Sequence, residues 1–178
     1  IIEWPAGIRK GRRTQMRAVT SDILPTLCDL TGAAAPTRPL DGMSLRSLLE
    51  GKMDTRPGPI CFWGYDVARE EKENPEPYLP VAVQTGNIPT AKVPHITFRN
   101  LRHPKARTSD FGGVAAITEA RYKLYAPAKG PAELYDLDAD DGEKTDLAAS
   151  QPERVKAMRA ALEGWQRSVE RSLSGADY

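Results

Sequence analysis

The sequence of 178 residues predicts an α/β chain in which a small antiparallel sheet packs against a long C-terminal helix. Apolar residues recur every three or four positions from residue 155 to 173, which is the period of a helix with one buried face. Before that helix, residues 114–118 and 121–125 have strand composition and are separated by a tight turn, and residues 132–137 follow as a third strand. Consecutive strands joined by short turns favour an antiparallel meander.

The chain opens on Ile1 to Trp4, which we expect to form a short strand. Pro5 ends it, because proline cannot donate a hydrogen bond to a neighbouring strand. A basic loop through Gly7 and Gly11 follows.

A helix is predicted over residues 22–30, with Thr20 or Ser21 as its N-cap and Gly32 as its C-terminal stop. A second short helix is expected to begin at Ser44 and to carry Leu45, Leu48 and Leu49 before Gly51.

Residues 59–65 form a short, nearly continuous apolar run rich in aromatic side chains, and we interpret this run as a central strand. From residue 67 to residue 113 no helical period is sustained and six prolines occur. Connections of this length in compact domains are usually functional or disordered.

The final helix is predicted to start at Pro152, which is compatible with a first turn. Its apolar stripe contains six residues: Val155, Met158, Leu162, Trp165, Val169 and Leu173. Gly164 interrupts the helix at a cost of roughly 1 kcal/mol relative to alanine. Close packing at that position would offset the cost.

Composition excludes several classes of protein. With 25 basic and 24 acidic residues the net charge is +1, so charge alone names no partner. Two cysteines, Cys28 and Cys61, are too few for a disulfide framework or a structural zinc site, and both are expected to be small buried hydrophobic residues. No apolar stretch approaches the ~18 residues needed to span a bilayer, so no membrane partner is predicted.

Residues 92–107 combine five lysines and arginines, no acidic residue, and both histidines of the chain, His95 and His103. Guanidinium groups bind sulfate, phosphate or carboxylate oxygens through charge-assisted hydrogen bonds, so this basic segment could hold an anion. It could equally be a solvated loop paired with the glutamates at residues 70–76. Phe98 is its only aromatic residue, which argues against nucleic-acid binding.

An acidic group at residues 136–143 superficially resembles a calcium loop. The twelfth position counted from Asp136 is Leu147, where such a loop needs a bidentate glutamate, so a solvated turn is predicted instead. The chain also has no Gly-rich phosphate loop and no Gly-x-Ser-x-Gly nucleophile motif. By itself it shows no complete catalytic apparatus.

Several segments, taken together and in order, resemble the C-terminal portion of sulfatases of the alkaline-phosphatase-like superfamily. They cover nearly the whole chain: Ile2-Glu-Trp-Pro-Ala-Gly-Ile8, Thr20-Ser-Asp-Ile-Leu-Pro-Thr-Leu-Cys-Asp-Leu-Thr-Gly32, Leu40-Asp-Gly-Met-Ser-Leu45, Leu48-Leu-Glu-Gly51, Phe98-Arg-Asn-Leu-Arg-His-Pro104, Asp110-Phe-Gly-Gly113, Arg121-Tyr-Lys-Leu124, and Glu133-Leu-Tyr-Asp-Leu137 with Glu143 and Leu147. Each segment alone is weak, and the shared order and spacing carry the resemblance.

The resemblance implies hydrolysis of sulfate esters by a parent enzyme that uses a formylglycine nucleophile and a calcium ion. The formylglycine arises from cysteine or serine within Cys-x-Pro/Ala-x-Arg, and neither cysteine of this chain has that context. We therefore carry over no catalytic residue and no metal ligand, and we expect the chain to be a fragment that is inactive by itself. The missing N-terminal part of the same protein would supply the nucleophile and the metal site.

The resemblance also suggests how the chain is divided. Residues 1–57 would end the large α/β domain, residues 58–113 would form a strand and a long basic loop at the active-site mouth, and residues 114–178 would form a C-terminal subdomain. Because the substrate of a sulfatase is an anion, Arg102 and His103 are predicted to contact a sulfated small molecule or glycan. The family is often exported, so a periplasmic or secreted location in a bacterium is expected.

Two other functions stay open on the sequence alone. The same scaffold accepts several tetrahedral anions, so the parent could hydrolyse phosphoester or phosphonate bonds. The chain could also be a non-catalytic module that binds an anion or a sulfated glycan through the basic segment.

Overall fold

Four strands form one antiparallel sheet in the computed structural model, which describes residues 1–5, 7–8, 10–64, 112–174 and 176. The strands are β1 (Ile60–Gly64), β2 (Val114–Glu119), β3 (Tyr122–Ala126) and β4 (Glu133–Asp136), in the spatial order β1-β2-β3-β4. The predicted meander of the last three strands is confirmed.

The turn between β2 and β3 is as tight as the sequence predicts. Glu119 pairs with Tyr122, so Ala120 and Arg121 alone connect the two strands. Ala120 has a φ of 49°, a left-handed conformation that costs a residue with a Cβ atom more than it costs glycine.

One long helix, α3 (Pro152–Ser174), packs across the sheet and confirms the predicted C-terminal helix. The core between them is formed by Ile117, Leu124 and Leu134 of the sheet and by Met158 and Leu162 of the helix, each at most 2% exposed. Alternate residues of a strand and residues four apart on a helix share a face, which is why these positions meet. Burying each such side chain contributes roughly 1.5–3 kcal/mol.

β1 is an edge strand within the described part of the chain, so the prediction of a central strand is wrong. Among the described residues it pairs only with β2. Cys61 and Trp63 face the core, whereas Phe62 on the other face is 52% exposed. The continuous apolar run suggested burial on both faces of the strand, but only one of its two faces packs against the core.

Two further helices precede the sheet: α1 (Ile23–Thr31), which continues from a 3₁₀ turn at Thr20–Asp22, and α2 (Arg46–Leu49). Gly32 ends α1 with a φ of 73°, as predicted. The predicted cap is wrong, because Thr20 and Ser21 lie inside the 3₁₀ turn, which Val19 precedes as N-cap residue. The carboxylate of Asp22 accepts the backbone N–H of Val19 at 2.9 Å.

Residues Ile1 to Trp4 do not form a strand. A turn follows them, in which the backbone N–H groups of Gly7 and Ile8 donate to the carbonyl of Trp4 at 3.0 and 2.7 Å. Ile1 and Ile2 are exposed and no described strand lies beside them, and without a partner strand an extended segment has no ladder to join.

Gly164 does not lie in a close contact. Close packing therefore does not offset the cost of placing a glycine inside the helix. A Cβ atom at this position would meet nothing within 4 Å. Within the described residues, no helix is both long and apolar enough to cross a bilayer.

Candidate functional site

At one end of the β1–β2 pair lie the described residues that flank 65–111, the stretch of sequence that includes the predicted basic segment. Gly64 pairs with Val114, and the indole N–H of Trp63 donates to the carbonyl of Gly112 at 2.9 Å. Residues 65–111 therefore leave and rejoin the sheet at neighbouring positions. Phe62 and Val114, which are 52% and 40% exposed, lie on the face of the sheet opposite the core and border this point.

Arg102 and His103, the two predicted substrate contacts, lie outside the described residues, as does the whole basic segment 92–107. Their roles stay predictions. The described structure shows only the residues that flank 65–111: Gly64 pairs with Val114, and the Trp63 indole binds the carbonyl of Gly112.

The most buried charged group of the described chain is Asp22, with no exposed surface. Its carboxylate accepts two hydrogen bonds from the Arg56 guanidinium, at 2.7 and 2.9 Å, and the backbone N–H groups of Val19 and Met43 at 2.9 Å each. Burial by itself raises the pKa of Asp22, but the hydrogen bonds from Arg56, Met43 and Val19 outweigh it and hold the pKa below the ordinary value of 3.8.

This arrangement joins the start of α1, the loop before α2 and the loop before β1. All four interactions stabilise the charged carboxylate, so Asp22 is held as an anion whose acceptor sites are used internally. Its role is structural, and it stays unavailable as an acid or base at neutral pH. The sequence analysis missed the Arg56 partner, because nothing in a single sequence pairs residues 34 positions apart.

The acidic group at residues 136–143 forms a turn, as the sequence predicts, and ion pairs that the sequence did not predict stabilise it. The Arg121 guanidinium binds Asp136 and lowers its pKa despite the opposing effect of burial. Three further carboxylates bind backbone amides or cations: Asp138 binds Arg17, Asp140 accepts the N–H groups of Lys144 and Thr145, and Glu143 binds Lys123. No group of three or more His, Cys, Asp or Glu side chains among the described residues could hold a metal ion.

Both cysteines are free thiols and half-buried. Burial, reinforced by the negative charges of Asp41 and Glu119, raises the pKa of Cys61 to about 12. At neutral pH this thiol is protonated, and a thiol rather than a thiolate is a poor nucleophile and metal ligand.

No family of proteins and no curated protein matches the chain. Several solved structures do. A 2-O GAG sulfatase is 23% identical, with 86% of this chain and 26% of that chain covered at a TM-score of 0.48. A protein solved in complex with its substrate D-glucosamine-2-N,6-O-disulfate is 18% identical, with 83% and 23% covered at a TM-score of 0.46. The phosphonate monoester hydrolase of Agrobacterium radiobacter is 26% identical, with 88% and 25% covered at a TM-score of 0.38.

The chain spans about a quarter of the length of each of these structures.

Proposed function

We propose that this chain is the C-terminal region of a sulfatase, and that the complete protein hydrolyses sulfate esters of a small molecule or glycan. The proposal rests on the ordered motifs of the sequence. What supports it in the structure is that specific hydrogen bonds join the motif at residues 20–32 to the motif at residues 40–45, and the motif at residues 133–137 to Leu147.

The motifs at residues 20–32 and 40–45 form one unit. Besides the bond from Met43 to Asp22, the backbone N–H of Leu45 donates to the Thr26 hydroxyl at 2.8 Å. Gly42 lies so close to the first motif that a Cβ atom there would be 1.9 Å from the carbonyl oxygen of Ser21. Only glycine fits this approach, which explains why the second motif carries Asp-Gly.

The motif around residues 133–137 is joined to Leu147 in the same way. The backbone N–H of Leu147 donates to the carbonyl of Leu134 at 2.8 Å, and the Asp146 carboxylate accepts the N–H of Leu134 at 2.9 Å. The spacing between these two parts of the motif is therefore a structural requirement of the turn between them.

An exposed apolar face on α1 supports a larger parent protein. Ile23, Leu24 and Leu27 are 57%, 47% and 54% exposed, and Ile2 is 54% exposed. Soluble proteins seldom expose apolar residues in such groups unless another surface covers them. We propose that the rest of the catalytic domain packs against this face.

The parent enzyme is proposed to use calcium and formylglycine, but the described residues fit neither group. They contain no cluster of metal-ligating side chains, and the Cys61 thiol lies in a strand with its pKa raised. We therefore assign no step of hydrolysis to a described residue, and we propose that another part of the same protein supplies both groups.

Hydrolysis by the full-length protein tests the function directly. We expect cleavage of an aryl sulfate such as p-nitrophenyl sulfate, measured by release of the phenolate, and slower cleavage of the matching aryl phosphonate. Faster cleavage of the phosphonate would assign the protein to the phosphoester and phosphonate hydrolases. Absence of cleavage of both esters would leave a binding module as the function.

The substrate contacts are tested by Arg102→Ala and His103→Ala in the full-length protein. A hydrogen bond to a charged group contributes about 1.5–3 kcal/mol, so each change should lower kcat/KM for the sulfate ester by about tenfold or more. His95→Ala is the matched control, because it removes the other histidine of the basic segment. Equal kinetics of all three variants and the unmodified protein would reject the assignment.

A further inference from the structure

A cleft of about 560 Å³ lies between the loop at residues 12–17, the segment 54–58 and the β2–β3 turn. Its charged lining consists of five arginines, Arg12, Arg13, Arg17, Arg56 and Arg121, and two aspartates, Asp54 and Asp138. Ile60 and Thr118, which pair with each other, form part of the wall. The cleft therefore lies at the end of the β1–β2 pair opposite to Gly64, where residues 65–111 leave the sheet.

Three of the five arginines are held in place by the protein. Arg17 donates to the carbonyl of Ala120 at 2.7 Å and to the carboxylate of Asp138 at 2.9 Å. Arg56 is held by the buried carboxylate described above, and Arg121 by Asp136. These ion pairs neutralise the three guanidinium groups and give the cleft fixed walls.

Arg12 and Arg13 differ from the other three. Both are exposed, and within the described residues neither side chain makes an ion pair or a hydrogen bond. Asp54 is the only lining carboxylate in the same condition, so the unpaired charge of the cleft is positive. Beside them the Thr14 hydroxyl accepts the N–H of Met16 at 3.1 Å, which orients its oxygen and leaves its proton free to donate.

We propose that this cleft binds a small ligand that carries a sulfate or phosphate group, held by the guanidinium groups of Arg12 and Arg13. Both arginines line the cleft, and each guanidinium group carries a planar set of N–H donors that matches a tetrahedral oxyanion, which no lysine reproduces. The volume is within the ~300–1,000 Å³ range of small-molecule sites, so a sugar-sized body attached to the anion fits. This inference goes beyond the proposed function, because it requires binding and no hydrolysis.

Protection of the arginines from chemical modification tests the site on the unmodified full-length protein. Phenylglyoxal modifies exposed guanidinium groups, and mass spectrometry reads the extent at each residue. We expect inorganic sulfate, glucose 6-sulfate or glucose 6-phosphate to slow modification of Arg12 and Arg13 by about tenfold at ligand concentrations near ten times Kd. Arg159 and Arg167, exposed on α3, are the internal controls and should react at an unchanged rate.

The three probes distinguish the possible sources of the anion. Stronger protection by a sugar ester than by inorganic sulfate identifies an organic ligand, whereas equal protection identifies the free anion. Either result supports the site. Modification of Arg12 and Arg13 at the same rate with and without all three probes would overturn it.

A pair of double variants gives a second readout by calorimetric titration with the same probes. Arg12→Ala with Arg13→Ala should weaken binding by about tenfold or more, since each charge-assisted hydrogen bond lost is worth about one such factor. The control is the double variant Arg159→Ala with Arg167→Ala, which removes the same amount of charge from the exposed surface of α3. This control variant should bind the probes as tightly as the unmodified protein does. Equal weakening in both double variants would show that only net charge matters, and the site would be rejected.

Discussion

The guanidinium of Arg56 donates two hydrogen bonds to the carboxylate of Asp22. The two side chains are 9% and 0% exposed, respectively. This ion pair connects the start of α1 to the segment that leads into β1. The start of the helical N-terminal part and the segment that leads into the sheet are thus joined by charges in the interior.

Removing one partner of this pair should be severely destabilising, because the other charge is then buried without compensation. We expect Arg56→Met to lower the free energy of unfolding by about 3–5 kcal/mol, measured by urea denaturation. The control is Glu50→Ala, whose ion pairs with Arg46 and Lys52 lie at the surface, and which should leave the urea midpoint nearly unchanged. A loss for Arg56→Met no greater than that of the control would contradict the role assigned to the pair.

The same pair predicts how stability depends on pH. The pKa of Asp22 in the folded protein lies below its ordinary value of 3.8, so the unfolded chain binds the proton more readily. The contribution of the pair is therefore complete above that value and is lost as the pH falls through the folded pKa. We expect the stability difference between the unmodified protein and Asp22→Asn to shrink as the pH drops below about 4. A difference that stays constant down to pH 2 would exclude this titration.

Gly164→Ala should stabilise the protein by up to about 1 kcal/mol, because the helix position is open and alanine loses less backbone entropy on folding. Thermal unfolding measures the change. Gly32→Ala is the matched control with the opposite sign, since its φ of 73° disfavours any residue with a Cβ atom. If Gly164→Ala lowers the melting temperature, α3 makes a contact there that the described structure lacks.

Ala120→Gly should also be stabilising, by up to about 1 kcal/mol, because glycine adopts the left-handed φ of 49° without steric cost. Part of the gain is offset by the greater entropy of glycine in the unfolded chain. Ala139→Gly, in a turn without positive φ, carries only that entropic cost and should be destabilising. The two changes are compared by urea denaturation, and the same sign for both would refute the strain at Ala120.

The parts of the fold that depend on local pattern were predictable. The stripe through Met158 and Leu162 predicts α3, and the short turn at Ala120 predicts the pairing of β2 with β3.

The parts that depend on contacts between distant residues were not predictable. Residues 59–65 have the composition of a buried strand, and only the pairing shows β1 at an edge. Arg12 and Arg13 belong to an irregular loop, and the β2–β3 turn that completes their cleft is more than 100 residues away along the chain. A single sequence contains no signal that places such residues together.

The pairing of Gly64 with Val114 has a consequence for how this protein can diverge from its relatives. The two ends of the intervening stretch stay adjacent whatever its length, and each doubling of a flexible connection costs only about 0.6 kcal/mol of closure entropy. Insertions, deletions and wholesale replacement at this point can therefore accumulate without disturbing the scaffold beneath.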